Sequence, residues 1–194
     1  MTINPPLNIH LADVQSADSQ RDVLELVKRC MNKDRVAQEK LYKRYHGKLM
    51  ALCLRYFSNR DDALAALNQG FLKVFKNLKS YNSEYDFGGW VYRIVQRTAI
   101  DLVRAQVRYE RRIPTEEPDA SLGISPEAVK KLYAKDLLQL LHKLPATTRI
   151  VFNLFALEGY SHAEIADELG MSAGTSKWHV NNARKLLKQW IDKQ

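Results

Sequence analysis

The stretch SHAEIADELGMSAGTSKWHVNNARKLLKQW, residues 161–190, carries the side chains of this sequence that are best suited to reading nucleic acid. Lys177, Trp178 and Asn181 fall on one side of its second helical pattern. An asparagine amide can pair with adenine through two hydrogen bonds, and a lysine can bind guanine or a phosphate. The spacing therefore predicts contacts with the base edges of duplex DNA.

Two helices and a short turn must position these side chains. Ser161 and Glu164 have the spacing of a capping box, Gly170 predicts a left-handed helix end, and Ser172 predicts the next N-cap. A pair of this kind is a helix-turn-helix, whose second helix enters the major groove. The predicted core face of that helix is Ser176, Val180, Ala183 and Leu187, and its outer face is Lys177, Trp178, Asn181, Lys185 and Lys188, with His179 and Asn182 at the edges.

The alternative for this helix is a plain amphipathic helix with a solvated polar face. An exposed tryptophan beside lysine and asparagine argues against that interpretation, so we favour DNA binding. For His162, at the start of the preceding helix, we expect no role beyond an exposed helix end.

A second informative stretch is GGWVYRIVQRTAIDLVRAQVRYERR, residues 88–112. Rows of arginine follow phosphates, and aromatic side chains beside a basic groove stack on unpaired bases. The alternative is that the aromatics are core residues and the arginines a solvated face, and Trp90 taken alone favours the core. For the combination we favour nucleic acid. The arginines are Arg93, Arg97, Arg104, Arg108, Arg111 and Arg112, and the aromatics are Tyr81, Tyr85, Phe87, Trp90 and Tyr92.

Composition narrows the function classes. The 194 residues include 30 Lys and Arg against 22 Asp and Glu, a net charge of +8 that favours a polyanionic partner. Cys30 and Cys53 form no C-x-x-C motif, and the histidines lack metal-ligand spacing. The sequence has no phosphate loop, no nucleophile motif, no secretory signal and no apolar run of about 20 residues. We expect no catalytic residue, no metal, no cofactor, no membrane insertion and a cytoplasmic location.

Helical periodicity runs through the chain, and no alternating strand pattern occurs. We therefore expect an all-α fold of two small helical domains joined by an extended, acidic linker. The predicted divisions are a flexible tail at 1–20, a first domain at 21–112, the linker at 113–124 and a helix-turn-helix domain at 125–194.

The sequence resembles the extracytoplasmic-function group of bacterial RNA polymerase sigma factors. The resemblance rests on LYKRYHGKLMALCLRYFSNRDDA, GFLKVFKNLKSY and FGGWVYRIVQRTAIDLVR in the first domain, and on LHKLPATTRIVFNLFALEGYSHAEIADELGMSAGTSKWHVNNARKLL in the second. It implies sigma regions 2 and 4, and an alternative sigma factor that directs core polymerase to promoters and helps to melt them. The implied partners are the polymerase clamp and flap, promoter DNA and an anti-sigma factor.

The resemblance also implies residue roles. The upstream duplex would meet Ser172, Thr175, Lys177, Trp178, Asn181, Asn182, Arg184 and Lys185. The minus-ten single strand would meet Asn82, Ser83, Trp90 and the arginines of residues 93–112. Core polymerase would contact the third helix through Leu64, Leu67, Asn68, Gln69 and Leu72.

The third helix departs from the family pattern, because ALAALNQG stands where acidic residues and a Gln-Glu pair are usual. Core binding would then depend more on apolar contacts such as those of Leu67 and Leu72, or be weaker. Two alternatives stay open: a stand-alone helix-turn-helix regulator, and a polymerase-binding protein that does not support initiation.

Overall fold

The computed structural model describes residues 17–110 and 129–192, and these ranges consist of helices joined by short turns and loops, with no β-strand. The predicted all-α class is confirmed. The chain divides after Asp101 into a first and a second compact unit. The helices are α1 (Ala17–Met31), α2 (Arg35–Cys53), α3 (Arg60–Asn77), α4 (Phe87–Glu110), α5 (Val129–Lys143), α6 (Ala146–Phe152), α7 (His162–Leu169) and α8 (Ala173–Ile191).

Only some of the predicted domain boundaries fall within the described residues. Because α1 begins at Ala17, the last residues of the predicted tail are helical. The division at Asp101 falls inside α4. The predicted linker, Arg111, Arg112 and the predicted helix start at residues 125–126 lie outside the described residues.

Local capping explains where α2 and α3 begin. The Asp34 carboxylate accepts hydrogen bonds from the backbone N–H of Val36 at 2.9 Å and of Ala37 at 3.1 Å. Arg29 at the end of α1 forms an ion pair with the same carboxylate, 2.7 Å away, which joins the two helices at their turn. Asn59 caps α3 by accepting from the N–H of Asp61. Such caps satisfy backbone donors that a helix leaves unpaired at its start.

Each helix of the first unit contributes one apolar face to its core. Leu41, Leu52 and Val74 are among its fully buried side chains. The backbones of α3 and α4 approach closely at Gly70, where an added Cβ would stand 2.8 Å from Val95 Cγ2. This position therefore requires glycine, and the close approach holds α4 in place.

Cys30 and Cys53 are both buried and form no disulfide. Burial raises the pKa of Cys30 to about 11 and that of Cys53 to about 12. Because the thiolate is the reactive form, we expect a thiol reagent such as DTNB to label neither cysteine at pH 7.5 in the native chain. Both should react after addition of guanidinium chloride. Rapid labelling of the native protein would contradict the buried positions.

One cluster of the second unit's core packs α8 against the end of α5. It consists of Leu140, Leu141, Leu144, Ala183 and Leu187, with Phe152, Leu186 and Trp190 packed against it. After α6, residues Asn153–Leu157 form a π-helical turn, in which the N–H of Glu158 donates to the carbonyl of Asn153. No helix among the described residues has the length and apolarity needed to cross a membrane.

Candidate nucleic-acid interface

The predicted caps of the helix-turn-helix are confirmed. Ser161 and Glu164 form the capping box, with the Ser161 N–H donating to Glu164 Oε2 at 2.8 Å and the Glu164 N–H donating to Ser161 Oγ at 3.2 Å. These hydrogen bonds lower the pKa of Glu164. Gly170 ends α7 at φ 64°, and Ser172 Oγ accepts from the N–H of Thr175 at the start of α8. The turn thus fixes the direction in which α8 leaves α7.

The faces of α8 are distributed as the sequence predicts. Ser176, Val180, Ala183 and Leu187 are buried. Trp178 is 60% exposed. The other members of the outer face, Lys177, Asn181, Lys185 and Lys188, are also exposed, and His179 and Asn182 are half-buried at the edges.

Three further residues of the predicted duplex set have internal contacts. The hydroxyl groups of Ser172 and Thr175 lie 2.8 Å apart in the N-cap of α8. The Arg184 guanidinium lies 5.7 Å from the centre of the Phe155 ring, a cation–π distance. These side chains are exposed and shape the ends of the outer face.

The ring of His179 packs against the exposed Trp178. Its ring meets Trp178 edge-on at 4.9 Å, and its Nδ1 lies 3.0 Å from the hydroxyl of the buried Thr148 on α6. Burial lowers the pKa of His179. The contact places a half-buried imidazole beneath the outer face of α8.

This shift has a consequence for stability. Because the folded state disfavours the charged imidazole, the unfolded chain binds more protons below about pH 6.5. We therefore expect the free energy of unfolding of the second unit to fall as the pH drops below 6.5, and the His179→Gln variant to lose that part of the pH dependence. Denaturant titrations at several pH values provide the measurement. Identical pH slopes for the two proteins would contradict the buried imidazole.

His162 has a structural role that the sequence did not indicate. Its ring stacks on Phe155 with centroids 4.5 Å apart and 12° between the planes, and its Nδ1 lies 3.0 Å from Ser176 Oγ. The expectation of a merely exposed helix end is wrong. A serine on an otherwise apolar face was the available signal, since a buried hydroxyl requires a partner.

In the first unit, the loop before α4 presents Asn82 and Ser83 to solvent. Asn82 Oδ1 accepts from the Glu84 N–H at 3.0 Å, and its Nδ2 donates to the Glu84 carboxylate at the same distance. Asp86 then caps α4 by accepting from the Gly89 N–H at 2.5 Å. These local bonds give the loop a defined shape.

The aromatic side chains around this loop divide into two groups. Phe87 and Tyr92 are buried in the core, whereas Tyr85 is exposed and Tyr81 and Trp90 are half-buried. The rings of Tyr81 and Phe87 lie 5.4 Å and 5.6 Å from that of Trp90. The core alternative therefore holds for Phe87 and Tyr92, and Trp90 combines an inner contact with an accessible edge.

The arginine row of α4, as far as the structure describes it, consists of Arg93, Arg97, Arg104 and Arg108. Arg97 and Arg108 are exposed, and Arg93 and Arg104 are half-buried. Asp101 interrupts the row, and its carboxylate lies 3.9 Å from Lys73 Nζ of α3. Lys73 of α3 thus lies close to Asp101, the acidic side chain within the row.

The outer surface of α3 carries most of the predicted polymerase contacts. Leu72 is 59% exposed, and Leu64, Asn68 and Gln69 are exposed as well. Asn68 Oδ1 accepts a hydrogen bond from the Tyr42 hydroxyl at 2.9 Å. Leu67, in contrast, is 0% exposed. Its assignment as a polymerase contact is wrong, because its side chain belongs to the core.

Comparison with known families agrees with this arrangement. The model described as Sigma-70 region 2 matches residues 41–109, and the model described as Sigma-70, region 4 matches residues 134–187. Together they cover more than half of the chain. A helical unit of the first kind followed by a helix-turn-helix of the second defines the sigma-70 class of RNA polymerase sigma factors.

Relatives give the same assignment, and a solved structure shares the fold. The ECF RNA polymerase sigma-E factor of Haemophilus influenzae is 28% identical over 180 residues, which cover 86% of this chain and 93% of the relative. The ECF sigma factor SigW of Bacillus subtilis is 27% identical over 158 residues, covering 76% and 84%. The sigma factor RpoE of Bartonella quintana, crystallised with the anti-sigma factor NepR, shares the fold with a TM-score of 0.56 at 21% identity, covering 79% and 96%. The chain belongs to the extracytoplasmic-function sigma factors.

Proposed function

We propose that this chain is an alternative sigma factor that binds core RNA polymerase, directs it to specific promoters and assists promoter melting. One observation carries the proposal: a helix-turn-helix with an exposed Lys-Trp-Asn face lies on the same chain as a helix with an accessible tryptophan edge and an arginine row. Initiation requires a promoter to be recognised as duplex and then opened. A duplex reader and a single-strand reader on one chain also gain effective concentration once the first is engaged.

In this proposal the second unit reads the upstream promoter element and touches the polymerase flap. Lys177, Trp178 and Asn181 meet base edges in the major groove, supported by Asn182, Arg184, Lys185 and the N-cap residues Ser172 and Thr175. The exposed positions of the outer face support these roles.

The loop before α4 and α4 itself bind the minus-ten element. Asn82 and Ser83 border the pocket for an unpaired base, Trp90 offers its accessible edge for stacking, and the arginine row follows the phosphates. The exposed part of α3, from Leu64 to Leu72, contacts the clamp of the large polymerase subunit.

The chain itself contributes no catalysis, since polymerase supplies the chemistry of RNA synthesis. Bartonella RpoE was crystallised with an anti-sigma factor, and we propose that a comparable protein holds this chain inactive. A cytoplasmic location follows from a function exercised on polymerase and chromosomal DNA.

Run-off transcription with core polymerase from the source organism tests the function. We expect a promoter-specific transcript and co-elution of the chain with core polymerase. Co-elution without a transcript would favour a polymerase-binding protein that does not initiate. Sequence-specific DNA binding without co-elution would favour a stand-alone regulator.

Arg93 and Arg97 give a separate prediction about melting. Replacing both by alanine should impair open-complex formation more than the initial binding of duplex promoter, because arginines at the melting edge act on the separated strands. Permanganate footprinting and gel shift of the holoenzyme measure the two steps. Equal losses in both would remove these arginines from the melting machinery.

A further inference from the structure

The buried face of α8 contains one hydroxyl among its apolar and small side chains. The buried residues of α8 are Ser176, Val180, Ala183 and Leu187, and Ser176 is 0% exposed. Apolar contacts through alanine and valine have no direction, whereas a hydrogen bond does. The bond between Ser176 Oγ and His162 Nδ1, at 3.0 Å, therefore constrains the rotation of α8 more than its neighbours on that face do.

The histidine is itself held in place. Its ring lies flat against Phe155, which belongs to the π-helical turn, and the guanidinium of Arg184 lies over the same phenyl ring. Ser176 and Arg184 are eight residues apart in α8. Since a helix makes a turn every 3.6 residues, the two positions are about two turns apart on neighbouring sides. Ser176 and Arg184 of α8 therefore both contact the stacked pair of His162 and Phe155.

From this geometry we infer that His162 is a positioning residue for DNA reading. Its bond to Ser176 and its stack on Phe155 set the rotation of α8, and so the place where Lys177 and Asn181 meet the bases. The inference depends on the proposed reading of duplex DNA by α8. At the periphery of a helix, a rotation of 10° displaces a side chain by about 1 Å. Such a displacement disrupts a two-bond contact to a base, whose donor–acceptor distances span only about 0.5 Å.

A double-mutant cycle on the full chain tests the inference. The probes are a duplex selected by the wild-type chain from a randomised pool and an unselected duplex of equal length. We expect His162→Ala and Ser176→Ala each to weaken binding of the selected duplex about tenfold, because the base contacts shift. Binding of the unselected duplex, which depends on phosphates, should stay within about twofold. The double variant should lose no more than either single one, because the two side chains form one contact.

Rescue separates positioning from general stability. The carboxamide of the His162→Asn variant can form a hydrogen bond near the former Nδ1 position, and this variant should recover most of the discrimination between the two duplexes. Unchanged discrimination in the alanine variants would overturn the inference. So would a parallel loss for both duplexes that follows the melting temperature. If the wild-type chain selects no duplex at all, the proposed duplex reading fails, and the inference fails with it.

Discussion

The Leu67→Ala variant is expected to lose about 2–5 kcal/mol of stability in the first unit, since truncating a fully buried leucine leaves a cavity. Leu67 is 0% exposed and lies on the inner side of α3. The loss should appear as a lower denaturant midpoint with an unchanged slope in urea titrations. Because domains of this kind are stable by only about 5–15 kcal/mol, the loss is a large fraction of the total.

Leu72 provides the matched control on the same helix. Its side chain is 59% exposed, so Leu72→Ala should change stability by no more than about 0.5 kcal/mol. If the outer surface of α3 contacts the polymerase clamp, the same variant should bind core polymerase more weakly. A stable Leu67→Ala protein with impaired polymerase binding would contradict the assignment of Leu67 to the core.

If Lys177 and Asn181 read base edges as proposed, their alanine variants are expected to lose about 1–3 kcal/mol each in binding to upstream promoter DNA. This corresponds to roughly a 5- to 150-fold weaker Kd. The stability of the second unit should hardly change, since both side chains are exposed. Fluorescence anisotropy with the preferred duplex and with duplexes altered at single base pairs measures affinity and specificity together.

Lys188 is a suitable control, because it is exposed on the same outer face but lies about two turns beyond Asn181 along α8. If Lys188 meets phosphate, its alanine variant should weaken binding uniformly across sequences and reduce the salt slope by about one. Unchanged affinity in the Asn181→Ala variant would remove Asn181 from the base-reading set. A uniform loss across all duplexes would turn it into a backbone contact.

The parts of the site that sequence could predict are those set by near neighbours in the chain. The capping box of Ser161 and Glu164 joins residues three apart, and the left-handed end at Gly170 reflects the freedom of one glycine. The two faces of α8 follow from helical periodicity once its cap at Ser172 is known. Such features depend little on the rest of the fold.

The sequence does not show which apolar residues of a helix are buried when such residues lie on more than one of its sides. On α3, Leu64, Leu67 and Leu72 are equally apolar, yet only Leu67 faces the core. Likewise Phe87 and Tyr92 follow the same loop as Tyr85 but point inward. Whether such a residue is buried depends on the helices that pack against it. Those helices come from distant parts of the chain.

The contact between His162 and Ser176 cannot be predicted from the sequence for a related reason. The two residues are 14 positions apart and meet through the packing of α7 on α8. The π-helical turn that carries Phe155 inserts an extra residue into its turn, which a count of 3.6 residues per turn does not anticipate. Their meeting is a product of tertiary structure.

The outer face of α8 has one more consequence, which concerns evolution and engineering. Lys177, Asn181 and Lys185 project from a helix whose buried residues lie on its other side. If these three side chains read DNA as proposed, exchanging them changes what the helix can recognise while leaving the fold nearly as stable. Duplicated copies of such a gene can therefore diverge in their target promoters through a few surface substitutions. In that case the same exchanges offer a route to variants that recognise designed promoters.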